Sequence, residues 1–474
     1  MLGQQDRWQG TLFVAGSLED LIPEDHILRR VDKVLDLSWL RDDVRECYSE
    51  STGRPGIDPE AAVRLMLAGF FHGIVHDRKL MRDAQVNLAI RWFGGYRLDE
   101  PLPDHSSLTR IRKRWGAERF RRIFQKTVTS CIQAGLVSGE TVHVDATLIR
   151  ADVSWESLTA RHAEKVLEEN PLEEEEIDSA PPKRGRPRTR PRYPKKRSIT
   201  DPDATMATSR KDQRLEPSYK QHTAVDDKAG VILDVALTTG EVNEGRQLLG
   251  SLERVEGVTG KPVQRLTADG SYAHSTNYAA LEERGTDAIV PPMPERKKWK
   301  KIPLRRFRYD SRHQLVKCPA GKRLMQSSRA RQGWIYRARG RDCRVCHLAR
   351  RCLSPGAKVR TVLIVDGYEA LLRARRRKLQ WDQEKHWYSR HRWRVEGIHG
   401  EAKTQHGLRR AIRRGLDNVA IQVYLTAAVI NLKRLAAALL HLFAWLGNNL
   451  FPLRDGLGRF AGYPVSCFCP VTWV

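Results

Sequence analysis

Apolar residues recur at two spacings along this chain, and the change of spacing divides the chain into regions. In "PEAAVRLMLAGFFHGI", which starts at Pro59, and in "DHSSLTRIRKRWGAERFRRIFQKTVTSCI" they recur every three to four residues, as on one face of a helix. Asp104, Ser106 and Ser107 open the second run and are typical helix-capping residues. Residues 1–135 are therefore predicted to be mainly helical.

Beyond this region the pattern changes to the alternation of a strand. In "ETVHVDATLIRADV", Val142 and Val144 alternate with polar residues, and "SYKQHTAVDDKAGVILDVALTTG" predicts two strands joined by a turn at 226–230. "VQRLTADGSYAH" predicts a short strand that ends at Asp-Gly, "STNYAALEERG" a helix, and "DAIVPP" another short strand. Strands mixed with helices predict an α/β core.

One stretch lacks the apolar residues that a folded unit needs. "LEENPLEEEEIDSAPP" is acidic and "KRGRPRTRPRYPKKR" is basic and rich in proline, so we expect a flexible loop, or one ordered by DNA, over 165–205. Arg184, Arg186 and Arg188 in "KRGRPR" resemble the AT-hook motif, whose extended arginine arm fits a narrow minor groove. The alternative is a basic linker that only increases solubility.

The net charge of the chain indicates what kind of partner the protein binds. The 474 residues include 83 Lys and Arg against 57 Asp and Glu, a formal net charge of +26. This excess predicts a polyanionic partner, with double-stranded DNA ahead of an acidic membrane surface and a merely basic soluble protein as the alternative. The arginines and lysines at 110–122 fit DNA docking or a solvated helix face equally well.

The chain shows no pattern typical of export or of membrane insertion. "MLGQQDRWQG" lacks the apolar region of a signal peptide. The longest apolar run, "LAAALLHLFAWLG", is shorter than the ~20 residues that span a bilayer, so it predicts a packed core helix. We therefore expect a cytoplasmic, nucleoid-associated protein with no membrane partner, whose 8 cysteines stay reduced.

Three acids stand out by their positions. Asp145 lies inside an apolar strand pattern, Asp269 ends another strand, and Glu396 lies on a late helix. A charged residue in a buried strand is costly unless it is paired or metal-bound. Three carboxylates can hold Mg²⁺ and support phosphodiester cleavage. The alternative is that Asp145 pairs with an arginine and Asp269 only caps a helix.

The late helix carries a stripe of functional residue types. Arg392, Glu396, His399 and Lys403 are spaced by four, three and four residues, so they share one helix face. On that face Glu396 can hold a metal while Arg392 and Lys403 contact phosphates. His399 fits a structural role better than a metal or DNA contact. Glu401 is off the stripe and is predicted to be a surface residue, and a salt-bridged helix is the alternative for the whole stripe.

These residues and their order resemble the bacterial insertion-sequence transposases of the DDE class, which have an RNase H-like catalytic core. In that class the first Asp lies on the first core strand, the second just after the fourth, and the Glu on a late helix. "HVDATLI", "TADGSY" and "WRVEGIHGEAK" match this order. One branch adds the signature Tyr, two residues, Arg, three residues, Glu, six residues, Lys. Arg392, Glu396 and Lys403 match it, whereas Ser389 takes the tyrosine position beside Tyr388.

The resemblance implies an RNase H-like mixed sheet flanked by helices, an N-terminal helical domain and a cysteine-containing insertion. It also implies a transposase that cuts at terminal inverted repeats and joins the ends to target DNA. Asp145, Asp269 and Glu396 would then hold two Mg²⁺ or Mn²⁺ ions, with Arg392 and Lys403 on DNA near the cut. Asp201 and Asp203 are weaker candidate ligands, because acids beside proline usually form turns.

Two alternatives remain open: a transposase-derived DNA-binding protein that no longer cuts, and an RNase H-like nuclease that does not join strands. Pairing of two element ends makes a homodimer the expected assembly. The expected units are a helical DNA-binding domain (1–135), the first part of the core (136–302), a basic cysteine-containing insertion (303–380), the Glu helix with C-terminal helices (381–450) and a tail (451–474).

Four cysteines in the insertion suggest a second metal site. Cys343 and Cys346 form a C-x-x-C pair, with Cys352 six positions on and Cys318 upstream in "KCPAGK". Four thiolates satisfy a closed tetrahedral Zn²⁺ site, and His347 is a substitute fourth ligand. The segment looks loop-rich with little core of its own, so a metal would stabilise it. Reduced structural thiols are the alternative.

Overall fold

The N-terminal region is helical, as predicted. The structure, a computed structural model, describes residues 16–49, 56–153, 158–160, 196–207, 215–293 and 302–450. Asp58 accepts a hydrogen bond from the Glu60 amide at 2.7 Å and starts a helix with Pro59 in its first turn. The longest helix of this region is interrupted at Gly116, whose φ of 71° is left-handed. The helices here are α1 (Ile27–Asp32), α2 (Leu40–Val44), α3 (Pro59–Phe71), α4 (Asp77–Val86), α5 (Leu88–Phe93) and α6 (His105–Gln133).

A six-stranded sheet forms the centre of the molecule. The strands that precede the cysteine segment are β1 (Thr141–Arg150), β2 (Leu158–Ala160), β3 (Lys196–Ser198), β4 (Thr205–Ala207), β5 (Glu216–Asp226), β6 (Ile232–Thr239), β7 (Arg265–Ala268) and β8 (Asp287–Ile289). The central sheet runs β4-β5-β1-β7-β8, with β6 also paired to β5, while β2 and β3 form a separate pair.

The central sheet is mixed, as expected. β1 is antiparallel to β5 and parallel to β7, and β7 is parallel to β8. Helix α7 (Leu248–Thr259) connects β6 to β7, and α8 (Ser275–Glu283) connects β7 to β8. Parallel neighbours need such crossovers, because the chain must return to the same end of the sheet before the next strand begins.

The cysteine segment forms a second sheet, which differs from the loop-rich insertion that the sequence suggested. Its strands run antiparallel in the order β13-β12-β11-β10-β9 around a small core that includes Phe307, Val316, Leu324 and Tyr336. This core was not predicted from the sequence, because arginines and turns interrupt the short runs in which apolar and polar residues alternate. The elements are β9 (Arg308–Asp310), β10 (Leu315–Lys317), β11 (Arg323–Ala330), β12 (Gly333–Ala338), α9 (Gly340–Arg344), α10 (Ala349–Cys352) and β13 (Thr361–Val365).

The last elements are helices α11 (Tyr368–Lys378), α12 (Gln383–His391), α13 (Gly397–Thr404) and α14 (Leu416–Leu450). A π-helical turn, Arg392–Glu396, joins α12 directly to α13. Helix α14 packs on α6 and β6. Its buried Asn431 accepts a hydrogen bond from the Ile232 amide and donates one to the Ile232 carbonyl, both at 2.9 Å. The N-terminal helices and the sheet therefore share one hydrophobic core.

The apolar stretch near the C-terminus belongs to α14. By length and composition, Leu416–Leu440 is long and apolar enough to cross a membrane, yet 61% of its most apolar window is buried inside the protein. Leu435 and Ala436, where the predicted core helix begins, are both buried. Helices in a protein core can be equally long and apolar, and this helix is mostly buried.

Candidate active site

Asp145 and Asp269 are brought side by side by two neighbouring parallel strands. The register of β1 and β7 pairs Val144 with Ala268, and each acid is the next residue in its segment. Both carboxylates therefore lie at the edge where β7 ends, the kind of position at which open α/β sheets bind ligands. Counted in chain order as β1, β5, β6 and β7, the strands put Asp145 on the first and Asp269 just after the fourth.

Asp269 also caps a short helical turn. Its Oδ1 accepts a hydrogen bond from the Ser271 amide at 2.8 Å, and its Oδ2 accepts one from Ser271 Oγ at 3.2 Å. This is the capping role that the sequence offered as an alternative to metal binding. The two roles are compatible, because the cap fixes the direction of the carboxylate beside Asp145 and a carboxylate has lone pairs left over.

Asp145 has no arginine or lysine partner within the part of the chain that the structure describes, so the predicted alternative of an arginine pair is wrong. Its ionic contact is His399, with Nδ1 3.8 Å from Oδ2. His399 is itself buried, its Nε2 lies 3.1 Å from Thr223 Oγ1, and burial together with Lys403 lowers its pKa to about 3. A neutral imidazole gives Asp145 no countercharge.

The charges that raise the pKa of Asp145 are negative, although Lys403 also lies within electrostatic reach of this carboxylate. Burial raises the pKa of Asp145 to about 7, and the charges of Asp269, Glu244 and Glu396 raise it further against one backbone hydrogen bond. We call Asp145, Asp269, Glu396 and Glu244 the acid cluster. Sequence analysis missed Glu244, because it lies on a turn after β6 where acids are common and no periodic pattern marks it.

The donor set of the acid cluster fits a hard divalent cation, which prefers carboxylate oxygens. A cation between these groups would also remove the repulsion that raises the pKa of Asp145. Across the described segments, no three His, Cys, Asp or Glu side chains come close enough together to hold one metal ion. The cluster thus fits a metal by chemistry and by charge rather than by ligand distances.

Glu396 lies on the π-helical turn and is the most exposed of the three predicted acids. Its side chain is 61% exposed, and its Oε1 lies 3.3 Å from Nε of Arg392, which is 68% exposed. This pair is the salt-bridged helix that the sequence offered as an alternative. Such an exposed pair contributes little to stability. Lys403 is half-buried on the same helix, and the charge of Asp145 partly offsets the lowering of its pKa by burial and by Arg409.

Tyr388, not Ser389, is the late-helix side chain whose pKa is affected by the charges of the acid cluster. Burial raises the pKa of Tyr388, and the charges of Asp269, Asp145 and Glu396 raise it further. Its ring stacks on His391 with 5.8 Å between centroids. Ser389 is exposed. Tyr388 is therefore within electrostatic reach of the acid cluster.

A buried polar network ties the strands of the two aspartates to the late helix. His143 Nδ1 lies 2.6 Å from Thr267 Oγ1, which lies 3.1 Å from His391 Nδ1. His143 Nε2 lies 2.9 Å from Asp227 Oδ1, and Arg390 donates two hydrogen bonds of 2.8 Å to the same carboxylate. His143 and Thr267 each precede a predicted catalytic aspartate by two residues, so this network sets where those aspartates stand.

Glu401 is largely buried, so its prediction as a surface residue was wrong. Its side chain is only 13% exposed, and it pairs with Lys433 Nζ at 2.5 Å and Arg434 Nη2 at 2.7 Å. Burial acts to raise its pKa, but His406, Arg434 and Lys433 outweigh burial and lower it. The partners lie on α14, about thirty positions along the chain, which is why helix periodicity within 392–415 could not reveal them.

Asp201 and Asp203 make hydrogen bonds that hold the start of α14 in place. This is a structural role rather than the role of a metal ligand. Both carboxylate oxygens of Asp201 accept the Tyr219 hydroxyl at 2.6 Å, and Asp203 Oδ2 accepts the Leu416 amide at 3.0 Å. The loop that carries them is ordered and Asp201 is buried. The end of the predicted flexible segment 165–205 is therefore folded, and its AT-hook residues Arg184, Arg186 and Arg188 lie outside the described residues.

The four insertion cysteines lie around one end of the second sheet. Cys318, Cys343 and Cys352 pack against its core. Burial raises the pKa of the Cys352 thiol, Arg360 opposes this, and Cys343, Cys318 and Cys346 raise it further. The Lys322 amide donates to Cys318 Sγ at 3.3 Å across a tight turn. The fold thus brings three thiols within electrostatic reach of Cys352, although among the described residues no three of these side chains come close enough to hold one metal ion.

The basic face of α6 divides into structural and exposed residues. Arg112 is buried and donates to both oxygens of Asp77, at 2.7 and 2.8 Å, and Arg413 reaches the same carboxylate at 2.6 Å. Lys113 is exposed and, with Arg413 and Arg414, lines a groove between α6 and the start of α14. The two sequence interpretations, DNA docking and simple solvation, thus both miss that part of this charge holds the fold together.

Two segments of the chain match family models, and both models describe transposases. Residues 16–114 match a model named "Transposase domain (DUF772)", and residues 317–436 match a model named "Transposase DDE domain". The second match includes Glu396 and the whole late-helix stripe. No curated protein matches the chain in sequence.

Solved structures give weaker likenesses. A piggyBac transposase synaptic complex with hairpin DNA aligns at a TM-score of 0.33 and 11% identity, over 87% of this chain and 72% of that one. A Mos1 transposase paired-end complex with left transposon end aligns at 0.16 and 11% identity, over 53% and 65%. The two family matches, one in the helical region and one around Glu396, support a DNA transposase.

Proposed function

We propose that this protein is a DDE-class DNA transposase that cuts at the terminal inverted repeats of its element and joins the ends to target DNA. The observation that carries the proposal is the pair Asp145 and Asp269 at the end of two parallel strands, in electrostatic reach of Glu396. Neighbouring acids without a basic partner favour a cation-dependent centre over a structural one. It would act in the cytoplasm on nucleoid DNA.

The central sheet supports the RNase H-like part of this assignment. Its five principal strands lie in the order β6-β5-β1-β7-β8, with three antiparallel strands followed by two parallel ones. The mixed sheet and the places of the two aspartates are what the resemblance to DDE transposases implies. The second sheet, inserted between β8 and the Glu396 helix, takes the place of the expected insertion.

The π-helical turn supports the late-helix signature. Tyr388 and Glu396 are eight residues apart, which in an α-helix leaves them about 80° apart around the axis. A π-helical turn absorbs about one extra residue, so the two side chains come back to one face. We infer that Tyr388 takes the signature's tyrosine position and that the turn compensates for the shifted spacing.

The residues then divide the work of phosphoryl transfer. Asp145, Asp269 and Glu396 would hold two Mg²⁺ or Mn²⁺ ions, which when bound activate the attacking oxygen and stabilise the leaving one. Arg392 and Lys403 lie on the same helix as Glu396 and would contact phosphates beside the cut. The exposed Lys113 groove would continue this contact along double-stranded DNA. Because two ends must be paired, we propose a homodimer.

The zinc proposal for the insertion concerns stability rather than catalysis. Cys318, Cys343, Cys346 and Cys352 would hold a structural Zn²⁺, and the amide donor to Cys318 suits a thiolate better than a thiol. Protein purified without chelator should contain about one zinc per chain by elemental analysis, and Cys343→Ser should lose it while Cys47→Ser keeps it. Zinc-free native protein would instead favour reduced structural thiols.

The central test uses DNA that carries the inverted repeats flanking the gene. Asp269→Asn should bind this DNA as the native chain does but fail to nick it in Mg²⁺ or Mn²⁺, while Glu283→Gln, an exposed acid on α8, should nick normally. Unchanged cleavage by Asp269→Asn would refute the site. No nicking by the native chain would favour a DNA-binding protein, and nicking without joining would favour a nuclease.

A further inference from the structure

Glu244 lies beside the predicted catalytic acids and has no role in the three-acid assignment. It begins a short helical turn, Glu244–Arg246, that follows β6. Its side chain is 22% exposed, and Oε1 lies 3.1 Å from Lys220 Nζ. Lys220 also donates to the Val242 carbonyl at 2.8 Å, so the lysine has a second fixed partner. The carboxylate is thus held in a defined place at the sheet edge.

The turn of Glu244 is fastened to the turn of Asp269. The side-chain amide of the buried Asn277 donates to the Gly245 carbonyl at 2.8 Å and to the Tyr272 carbonyl at 3.1 Å. Gly245 also lies against the ring of His274 so closely that a Cβ there would be 2.8 Å from it. One amide therefore clamps the two turns that carry the second predicted acid and the additional one.

Tyr272, the last residue of the turn that Asp269 caps, carries a buried hydroxyl. Tyr272 is 1% exposed, and its Oη has no hydrogen-bond partner within the described residues. Burial raises the pKa of Tyr272 well above its usual value, and the charges that add to this are Asp145, Glu244 and Asp269. Buried hydroxyls normally find a partner. An unpaired buried donor on the turn of Asp269, within electrostatic reach of three carboxylates, points to a ligand that brings its own oxygens.

We propose that Glu244 is a fourth carboxylate ligand of the divalent-cation centre and that the Tyr272 hydroxyl donates a hydrogen bond to an oxygen bound there. The proposal rests on the proposed function. Two divalent ions carry four positive charges, whereas Asp145, Asp269 and Glu396 supply three negative ones. Glu244 supplies the fourth, and Mg²⁺ takes about six oxygen ligands, more than three side chains provide for two ions. The alternative is that Glu244 only pairs with Lys220.

The test measures Mn²⁺ binding to the full chain by electron paramagnetic resonance, which counts free Mn²⁺ and needs neither DNA nor turnover. Glu244→Gln keeps the shape of the side chain and should weaken binding of at least one Mn²⁺ by about 10- to 100-fold. Tyr272→Phe should weaken it less. Lys220→Gln, which breaks the ion pair but keeps the carboxylate, should retain binding. Glu253→Gln, whose side chain is 67% exposed, is the matched control and should bind as the native chain does.

The outcomes separate this inference from the proposed function. If Glu244→Gln binds Mn²⁺ like the native chain while Asp145→Asn does not, the fourth ligand is wrong and the three-acid centre stands. If Asp145→Asn also binds Mn²⁺ normally, the proposed metal centre itself is wrong. Equal losses in Glu244→Gln and Lys220→Gln would assign Glu244 to the ion pair alone. Thermal unfolding followed by circular dichroism checks that each variant is folded.

Discussion

Two regions of this protein bury aspartates in opposite surroundings. Asp77 accepts hydrogen bonds from Arg112, Arg413 and Thr109, and these outweigh burial, so its pKa is lowered. Asp145 faces other carboxylates, and burial with their charges raises its pKa to about 7. The first surroundings stabilise the ionised carboxylate and the second oppose it. Burial alone thus does not identify a functional acid; the charge of the neighbours does.

The difference assigns the two regions to separate tasks. The Asp77 pairs join α4 and α6 to the segment before α14, so they hold the helical region on the core. In the acid cluster, Glu244 pairs with Lys220 and the exposed Glu396 with Arg392, whereas Asp145 has only the neutral His399 as an ionic contact within the described residues. A protein keeps such an unfavourable group when function needs it. The predictions below test whether stability and activity divide along this line.

Asp77→Asn should have the largest effect on stability. It leaves Arg112 and Arg413 buried without their carboxylate, and breaking a buried pair in this way costs about 3–5 kcal/mol. Urea unfolding of the variant should show this loss in the free energy of unfolding, whereas Asp25→Asn, an exposed acid of the same region, should change it by less than about 0.5 kcal/mol. An equally stable Asp77→Asn would remove the contrast between the regions.

Asp145→Asn should instead reduce DNA cleavage strongly without reducing stability. Strand cleavage with Mg²⁺ should fall by about 10²- to 10³-fold or more, as when a charge-stabilising group is removed. In chelator at pH 8 the variant should unfold at a temperature no lower than the native chain. Because the folded pKa is raised, native stability falls as pH rises from about 4 to about 7. The advantage of the variant should therefore disappear at about pH 4, and a less stable variant at pH 8 would contradict the assignment.

Glu401→Gln should have the smallest effect and sharpens the comparison within one helix. The folded pKa of Glu401 is lowered, so its pairs with Lys433 and Arg434 stabilise the protein above the unfolded pKa of about 4.3 and lose this effect as pH falls further. The variant should lose about 1–3 kcal/mol at pH 7, and its unfolding temperature should vary less between pH 5 and pH 3. Glu283→Gln should follow the native curve.

Much of the site could be predicted from the sequence, because Asp145 and Asp269 interrupt or end short apolar strand patterns. The alternation of apolar and polar residues predicted β1, β5, β6, β7 and β8. The grouping of Asp145, Asp269 and Glu396 came from the resemblance of their order along the chain to that of DDE transposases. Asp145 and Asp269 come close together because β1 and β7 pair in parallel with a particular register, and this register cannot be predicted from the local sequence pattern.

The rest depended on contacts between distant segments. Glu401 finds its partners on α14, and Glu244 is placed by the clamp of Asn277, so neither could be judged from neighbouring residues. Tyr388 lies one position from the signature spacing, and that spacing assumes an α-helix throughout, whereas a π-helical turn separates Tyr388 from the residues after Glu396. The second sheet was missed because its apolar residues are few and lie among arginines.

The second sheet leaves and rejoins the core at almost the same place. The chain departs after β8, and when it returns, Arg377 of α11 pairs with Asp287 of β8 at 2.5 Å and Arg373 pairs with Glu282 of α8 at 2.5 Å. Segments whose two ends lie close together can be lengthened, shortened or exchanged without disturbing what they are attached to. The second sheet could therefore change in length while the positions of Asp145 and Asp269 on the central sheet stay the same.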